Sequence, residues 1–171
     1  MEHLFSPWRS TYISTFKDKP EKESGCVFCS ALAGTNDNER LLVYRGTVAF
    51  VIMNLYPYNS GHMMIIPNRH TSDFESLTPE EHSECSMLLK TSIAALRELG
   101  APHGYNIGMN LGRSAGAGID DHLHWHIVPR WNGDTNFMPT IADVKLVSED
   151  MTKQHLSLAA SFKRLLGSAS V

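Results

Sequence analysis

The stretch His122-Leu123-His124-Trp125-His126-Ile127-Val128 alternates three imidazoles with bulky apolar side chains. In an extended chain alternate residues share a face, so the pattern lines one side with histidines and packs Leu123, Trp125 and Ile127 into the other. The spacing therefore predicts a strand over His122–Val128. A single solvated histidine would need no explanation, but three on one face carry six ring nitrogens that all need partners once buried. Imidazole suits two tasks here, as a metal ligand or as a nucleophile and proton donor near neutral pH.

Immediately upstream, Asn110, Leu111, Gly112, Arg113, Ser114, Ala115, Gly116, Ala117 and Gly118 form a small-residue loop whose backbone amides can approach an anion closely. Downstream, Pro129 and Arg130 place a guanidinium at the strand end, where it suits phosphate oxygens. Beside three histidines and two arginines, phosphate binding accounts for the loop better than a plain linker does.

Further out, Leu41–Tyr44 and Thr47–Met53 read as two strands around the turn at Arg45 and Gly46, and Asn54–Gly61, with two tyrosines and Pro57, reads as a turn-rich connection. The apolar run His62–Ile66 resumes strand character. Thr78, Pro79, Glu80 and Glu81 make a helix start, with a hydroxyl cap, proline at the first helical position and a carboxylate placed to return the cap. Cys85, Leu88, Leu89, Ile93 and Leu96 then share one helical face, and Gly100 offers a stop. Tyr105–Met109 reads as a strand, and a second amphipathic helix is expected from Glu149 to about Leu166, with Leu158, Phe162, Leu165 and Leu166 on one face. Strands in runs with few helices predict an α+β fold, with an antiparallel sheet of about five strands, one main helix and a C-terminal helix.

Residues 1–25, aromatic at Phe5, Trp8 and Tyr12 and then polar from Lys17 to Lys22, read as an arm and linker. Residues 26–171 read as a single domain, in keeping with a chain of 171 residues. The formal net charge of −3 argues against a nucleic-acid binder, which needs a basic surface. No run approaches the roughly 18 apolar residues of a membrane span, and the N-terminus lacks the apolar core of a signal peptide, so a cytoplasmic protein without a membrane partner is expected. Cys26 and Cys29 form a Cys-x-x-Cys pair in a chain with three cysteines, which suits a metal site in a reducing compartment better than a disulfide framework. Two thiolates and two imidazoles would satisfy tetrahedral zinc, and the plain alternative is a pair of reduced thiols beside a short helix. Cys85 is expected in the core, and His3, His82, His103 and His155 at the surface. His62 either approaches the three alternating histidines or is simply buried in the sheet.

The run His122–Val128 resembles the histidine-triad signature, in which three histidines alternate with apolar residues. The resemblance covers approximately Leu41–Phe137, where Asn54, Pro57, Gly61, His62, Pro67 and His70 are similar to the family's Asn, Pro, Gly-His, Pro and His segment. Within the superfamily, Asn110–Phe137 resembles bacterial diadenosine tetraphosphate phosphorylases through Pro129, Arg130, Trp131, Gly133, Asp134, Asn136 and Phe137. The Pro7–Tyr12 arm is similar to theirs as well.

The resemblance implies a HIT-like fold and double displacement at the α-phosphate of a dinucleoside polyphosphate. His124 would attack to form a nucleotidyl-histidine, its tautomer fixed by the backbone carbonyl of His122, while His126 stabilises charge and exchanges protons with the leaving group or acceptor. Ser114, the amides around Gly116 and Gly118, and Asn110 would steady phosphoryl oxygens. Asn54 would contact the ribose, with apolar strand residues near it holding the base. The resemblance adds His70 and His122 to Cys26 and Cys29 as ligands of a structural zinc, and it implies a homodimer. Through the loop and the arm it implies inorganic phosphate as the acceptor, with water as the alternative that the triad itself does not separate, and it leaves open whether a divalent cation accompanies the polyphosphate. Hydrolysis of adenosine phosphoramidates, and a nucleotide-binding module without turnover, remain as alternatives.

Overall fold

The computed structural model describes residues 25–134 and 150–167. The expected arm up to residue 24, together with Asn136, Phe137 and Glu149, lies outside them. The described elements run α1 (Val27–Ala33), α2 (Asp37–Arg40), β1 (Leu42–Arg45), β2 (Ala49–Met53), β3 (Met63–Pro67), α3 (Pro79–Gly100), β4 (Gly104–Met109), β5 (Trp125–Arg130) and α4 (Met151–Gly167). The strands form one sheet in the order β1-β2-β3-β5-β4, and every neighbouring pair is antiparallel. The α+β architecture expected from the sequence is the one observed, with the short helices α1 and α2 added ahead of β1.

Every residue of β2 and β3 is buried, because helices cover both faces of the sheet at its centre. On one face Val51, Met53, Met63, Ile65 and Ile127 pack with Leu88 and Leu96 of α3 and Leu158 and Phe162 of α4. On the other, Phe50, Ile52, Met64 and Ile66 pack with Phe28 and Ala31 of α1. Cys85 is buried in the first cluster, as its place on the helical stripe predicted. Since Met64 is paired with His126 and Met63 with Ile127, the even-numbered imidazole of β5 projects on the α1 side.

Helix α3 starts as the sequence requires. Thr78 Oγ1 accepts from the Glu81 amide at 3.2 Å, and the Glu81 carboxylate accepts from the Thr78 amide at 2.9 Å. Its end differs from expectation. Gly100 is the last helical residue and Ala101, at φ 40°, takes the left-handed cap. Gly100 instead makes room for Trp131, whose indole nitrogen donates to the Gly100 carbonyl at 3.0 Å. The turn between β1 and β2 is tied to α3 by Glu84, whose carboxylate accepts from the amides of Thr47, Val48 and Ala49 at 2.9, 2.5 and 2.8 Å.

His155 corrects a sequence expectation. It is 1% exposed, with Nε2 donating to the Leu42 carbonyl at 2.8 Å, so it ties α4 to β1 rather than facing solvent. His82 and His103 are exposed as expected. No helix among the described residues is long and apolar enough to cross a membrane.

Candidate active site

The ladder of β5 begins at Trp125, so His122 and His124 lie in the approach to the strand, which bends at His122, rather than within the expected His122–Val128 strand. That approach is anchored separately. The Leu123 amide donates to the Thr71 carbonyl at 2.7 Å, and His122 Nε2 bonds the Pro67 carbonyl at 2.9 Å. Phe28 closes the site from α1, with its ring centroid 5.5 Å from that of His122 and 5.0 Å from that of His124. The rings of His124 and His126 are 4.9 Å apart and nearly perpendicular.

The hydrogen bonds decide where each proton sits. A carbonyl only accepts, so His124 Nδ1, 2.8 Å from the His122 carbonyl, carries the hydrogen and Nε2 keeps its lone pair. A second chain of bonds starts from a backbone amide. Tyr58 N–H donates to His62 Nδ1 at 3.1 Å, which leaves the His62 proton on Nε2, 3.0 Å from His126 Nδ1. Asn54 agrees with this assignment: its Oδ1 accepts from the Tyr56 amide at 3.0 Å, turning its NH2 toward His62 Nδ1 at 3.3 Å. His126 Nδ1 therefore accepts, and its own proton resides on Nε2. Two touching imidazoles thus present opposite functions, a bare lone pair on His124 and an N–H on His126.

Burial keeps both rings neutral. It lowers the His124 pKa, partly offset by the bond to the His122 carbonyl, and it pushes His126 down to about 4, with the neighbouring His124 adding to the effect. His122 is lowered as well, by burial first. His124 is only 5% exposed, so bulk water has little access to its lone pair.

Behind the triad, Cys26, Cys29, His70 and His122 bring one donor atom each within 4.8 Å of one another and could hold a metal ion. Because His122 Nε2 donates to Pro67, its Nδ1 is the bare nitrogen, and Nδ1 is the atom that faces the cluster. It lies 3.2 Å from Cys26 Sγ, 3.7 Å from Cys29 Sγ and 3.3 Å from His70 Nδ1, while Cys29 Sγ to His70 Nδ1 is 3.5 Å. Tetrahedral zinc, with bonds of about 2.0–2.1 Å to nitrogen and 2.3 Å to sulfur, requires edges of about 3.3–3.6 Å for such pairs. The donors present fit that group. Asp121 lies 3.9 Å from the other nitrogen of His70, on the outer side of the cluster.

The remaining expected substrate residues are less directly placed. Gly112 and Gly116 take φ values of 79° and 92°, and Arg113–Ala115 wind into one 3-10 turn between them. The amides of Ala115 and Ala117 bond the Gly112 carbonyl and that of Gly116 bonds the Arg113 carbonyl, so in this arrangement they serve the turn itself. Asn110 bonds the Gly116 carbonyl at 3.4 Å, and Ser114 and Gly118 are exposed on the loop. Arg130 is not brought to the imidazoles. Four residues beyond His126, about 13 Å along the strand, its guanidinium pairs with Asp134 at 2.6 and 2.8 Å and with Asn106 at 2.8 Å. Arg113 pairs with Asp120 at 2.7 Å. Asn54, expected at a ribose, has both amide atoms engaged in the His62 network.

Sequence reasoning missed Phe28 and the relay through Tyr58. An apolar residue inside a Cys-x-x-Cys pair was the available signal for Phe28, whereas Tyr58 depends on a loop conformation that spacing does not encode.

The comparisons agree with this geometry. The HIT domain family profile matches residues 35–133. AP-4-A phosphorylase of Mycobacterium tuberculosis is 35% identical over 167 residues, spanning 96% of this chain and 86% of that protein. A zinc-bound histidine triad family protein from Mycobacterium smegmatis superposes with a TM-score of 0.67 at 28% identity, over 84% of this chain and 97% of that one. A hypothetical histidine triad nucleotide-binding protein from Sulfolobus tokodaii gives a TM-score of 0.65 at 26% identity, over 82% and 93%. With three alternating imidazoles held by this sheet and a family match spanning all five strands, the chain belongs to the histidine triad (HIT) family.

Proposed function

We propose that the protein is an enzyme that transfers the nucleotidyl group of a dinucleoside polyphosphate, diadenosine tetraphosphate in the leading case, through His124. The observation that carries the reading is the opposed tautomers of His124 and His126. His124 Nε2 attacks the α-phosphorus and forms a P–N bond, while the bond from that phosphorus to the bridging oxygen breaks. ATP leaves as an anion, its freed oxygen accepting a hydrogen bond from His126 Nε2–H, which stabilises the charge that develops there. Inorganic phosphate then attacks the adenylyl-histidine, the P–N bond breaks, and ADP leaves. Water as acceptor would give AMP by the same route. Similarity across 96% of the chain to a protein named as a phosphorylase favours phosphate.

Ser114, Gly116, Gly118 and Asn110 would meet phosphoryl oxygens after the 112–117 turn opens to release its amides, and Asn54 would reach the ribose at the edge of the His62 network. Arg130 would serve the far end of a long polyphosphate or the loop that holds Asp134. Cys26, Cys29, His70 and His122 would hold a structural zinc, with no ligand position left for substrate. The thiolates of such a site suit the reducing cytoplasm. The family match at 35–133 falls inside the proposed single domain of residues 26–171. The exposed Asn106, Ile107 and Gly108 of β4, at the end of the sheet order, support pairing of two copies into a homodimer, which light scattering would size.

Product analysis tests the reading. Diadenosine tetraphosphate incubated with phosphate and a divalent cation is expected to yield ADP plus ATP, and without phosphate, AMP plus ATP more slowly. Products indifferent to phosphate would make it a hydrolase. Turnover of adenosine phosphoramidate alone would move it to the other branch of the family, and nucleotide binding without any turnover would sink the enzyme reading.

A further inference from the structure

Three large apolar side chains stand exposed on the loop between β2 and β3: Leu55 at 63%, Tyr56 at 53% and Tyr58 at 45%. The loop is not slack. Its turns are fixed by the Tyr56 and Tyr58 amide bonds to Asn54 and His62, and by the His62 amide to the Asn59 carbonyl at 3.1 Å. Asn59 Nδ2 donates to the Pro129 carbonyl at 3.0 Å and to Asp134 at 2.8 Å, and the Gly61 amide donates to Gln154 of α4 at 2.9 Å. Bonds to two other elements therefore hold these rings out toward solvent, where apolar surface gains nothing unless something covers it.

Tyr58 adjoins the reacting groups. Its ring lies 4.8 Å from His62 at an interplanar angle of 34°, and 6.0 Å from His126 at 28°. The aromatic surface thus runs on from the imidazole whose N–H meets the leaving group. When that group is ATP it ends in a flat heterocycle, and aromatic side chains stack bases of any identity.

We propose that the exposed face of Tyr58 stacks the base of the leaving nucleotide, so that the enzyme prefers substrates carrying a nucleoside at both ends of the polyphosphate. The proposal rests on the adenylyl-transfer reading above and adds a subsite for the half of the substrate that is not retained. Tyr58 contributes twice: its backbone amide sets the His62 tautomer, and its side chain supplies the platform. Only the second contribution is open to side-chain substitution.

The test compares diadenosine tetraphosphate with adenosine tetraphosphate. The second compound presents the same adenylyl group and four phosphates but releases inorganic triphosphate, with no base to stack. For the wild-type protein, kcat/KM is expected to favour the dinucleotide. Tyr58→Ala should lower that preference about tenfold, mainly through KM, since stacking of one base on an aromatic ring is of that order. Tyr58→Phe keeps the ring and should hold the preference within about twofold. Because the readout is a ratio, a general loss of activity from disturbing His126 cancels. An unchanged ratio in Tyr58→Ala, or a wild-type protein that treats both compounds alike, overturns the subsite while leaving adenylyl transfer intact. A wild-type protein that cleaves neither compound overturns the functional reading and the subsite with it.

Discussion

His124→Ala is expected to lower turnover of diadenosine tetraphosphate by on the order of 10^4-fold or more, with the fold unchanged. His124 Nε2 is the bare lone pair that stands beside the N–H of His126, so removing it removes the covalent route. The cavity left by the imidazole lies between Phe28 and His126, and circular dichroism and thermal unfolding should show a protein that still folds. A stronger check is the intermediate itself. Mixing wild-type protein with substrate in the absence of phosphate and quenching in base should trap a protein heavier by one adenylyl group, and His124→Ala should trap none. If the variant kept its turnover, His124 would be no nucleophile and a direct displacement would have to be sought.

The same arrangement fixes the direction of the pH response. His126 has its pKa pushed down from an ordinary 6.5 to about 4, so the unfolded chain binds a proton more readily than the folded one between those values. Stability contributed by the neutral ring is complete above about 6.5 and falls as pH drops through that window. The acid limb of activity should also lie below the usual imidazole range, because protonating His126 Nδ1 costs it the bond from His62. His126→Asn should flatten the stability profile between pH 4 and 6.5, measured by thermal unfolding.

Much of this was legible in the sequence because periodicity carried it. The alternation at 122–128 gave the face of the imidazoles, the Thr78–Glu81 box gave the start of α3, and the apolar stripe through Cys85 and Leu88 gave its buried side. What escaped depends on contacts between distant segments. His155 carries no polar partner in its own neighbourhood of the chain; its bond to the Leu42 carbonyl arises only when α4 lies across β1. Arg130 looked free for phosphate because Asp134, four residues on, reaches it only through a turn at Gly133, where φ is 80°. The strand began three residues late for a related reason, since Thr71 and Pro67 capture the approach to β5 before the ladder starts. Even the triad's tautomers needed the fold: spacing places three imidazoles side by side, but the donors that orient them come from Tyr58 and from the His122 carbonyl.

Replacing Cys26 and Cys29 together with serine is expected to cost both stability and rate. Elemental analysis of the wild-type protein should find about one zinc per chain, and the double variant should carry none, since a hydroxyl does not replace a thiolate for zinc. If the metal is held about a thousandfold below its working concentration, its loss removes about 4 kcal/mol, a fall in Tm on the order of 10 °C for a domain of this size. The effect on rate comes through the backbone. His122 belongs to the cluster by its side chain and to the nucleophile by its carbonyl, which accepts from His124 Nδ1 at 2.8 Å. Phe28, between the two cysteines in sequence, packs on both His122 and His124, so freeing α1 also loosens the ring that covers the nucleophile. Misplacing such outer groups typically lowers activity about 10- to 100-fold, and that is the loss expected here, concentrated in kcat rather than KM. Zinc added back to chelator-treated wild-type protein should restore Tm and kcat together, and to the serine variant should restore neither. A metal-free protein with unaltered melting and turnover would reduce the four residues to a hydrogen-bonded cluster and leave Pro67 and Phe28 alone to hold the triad.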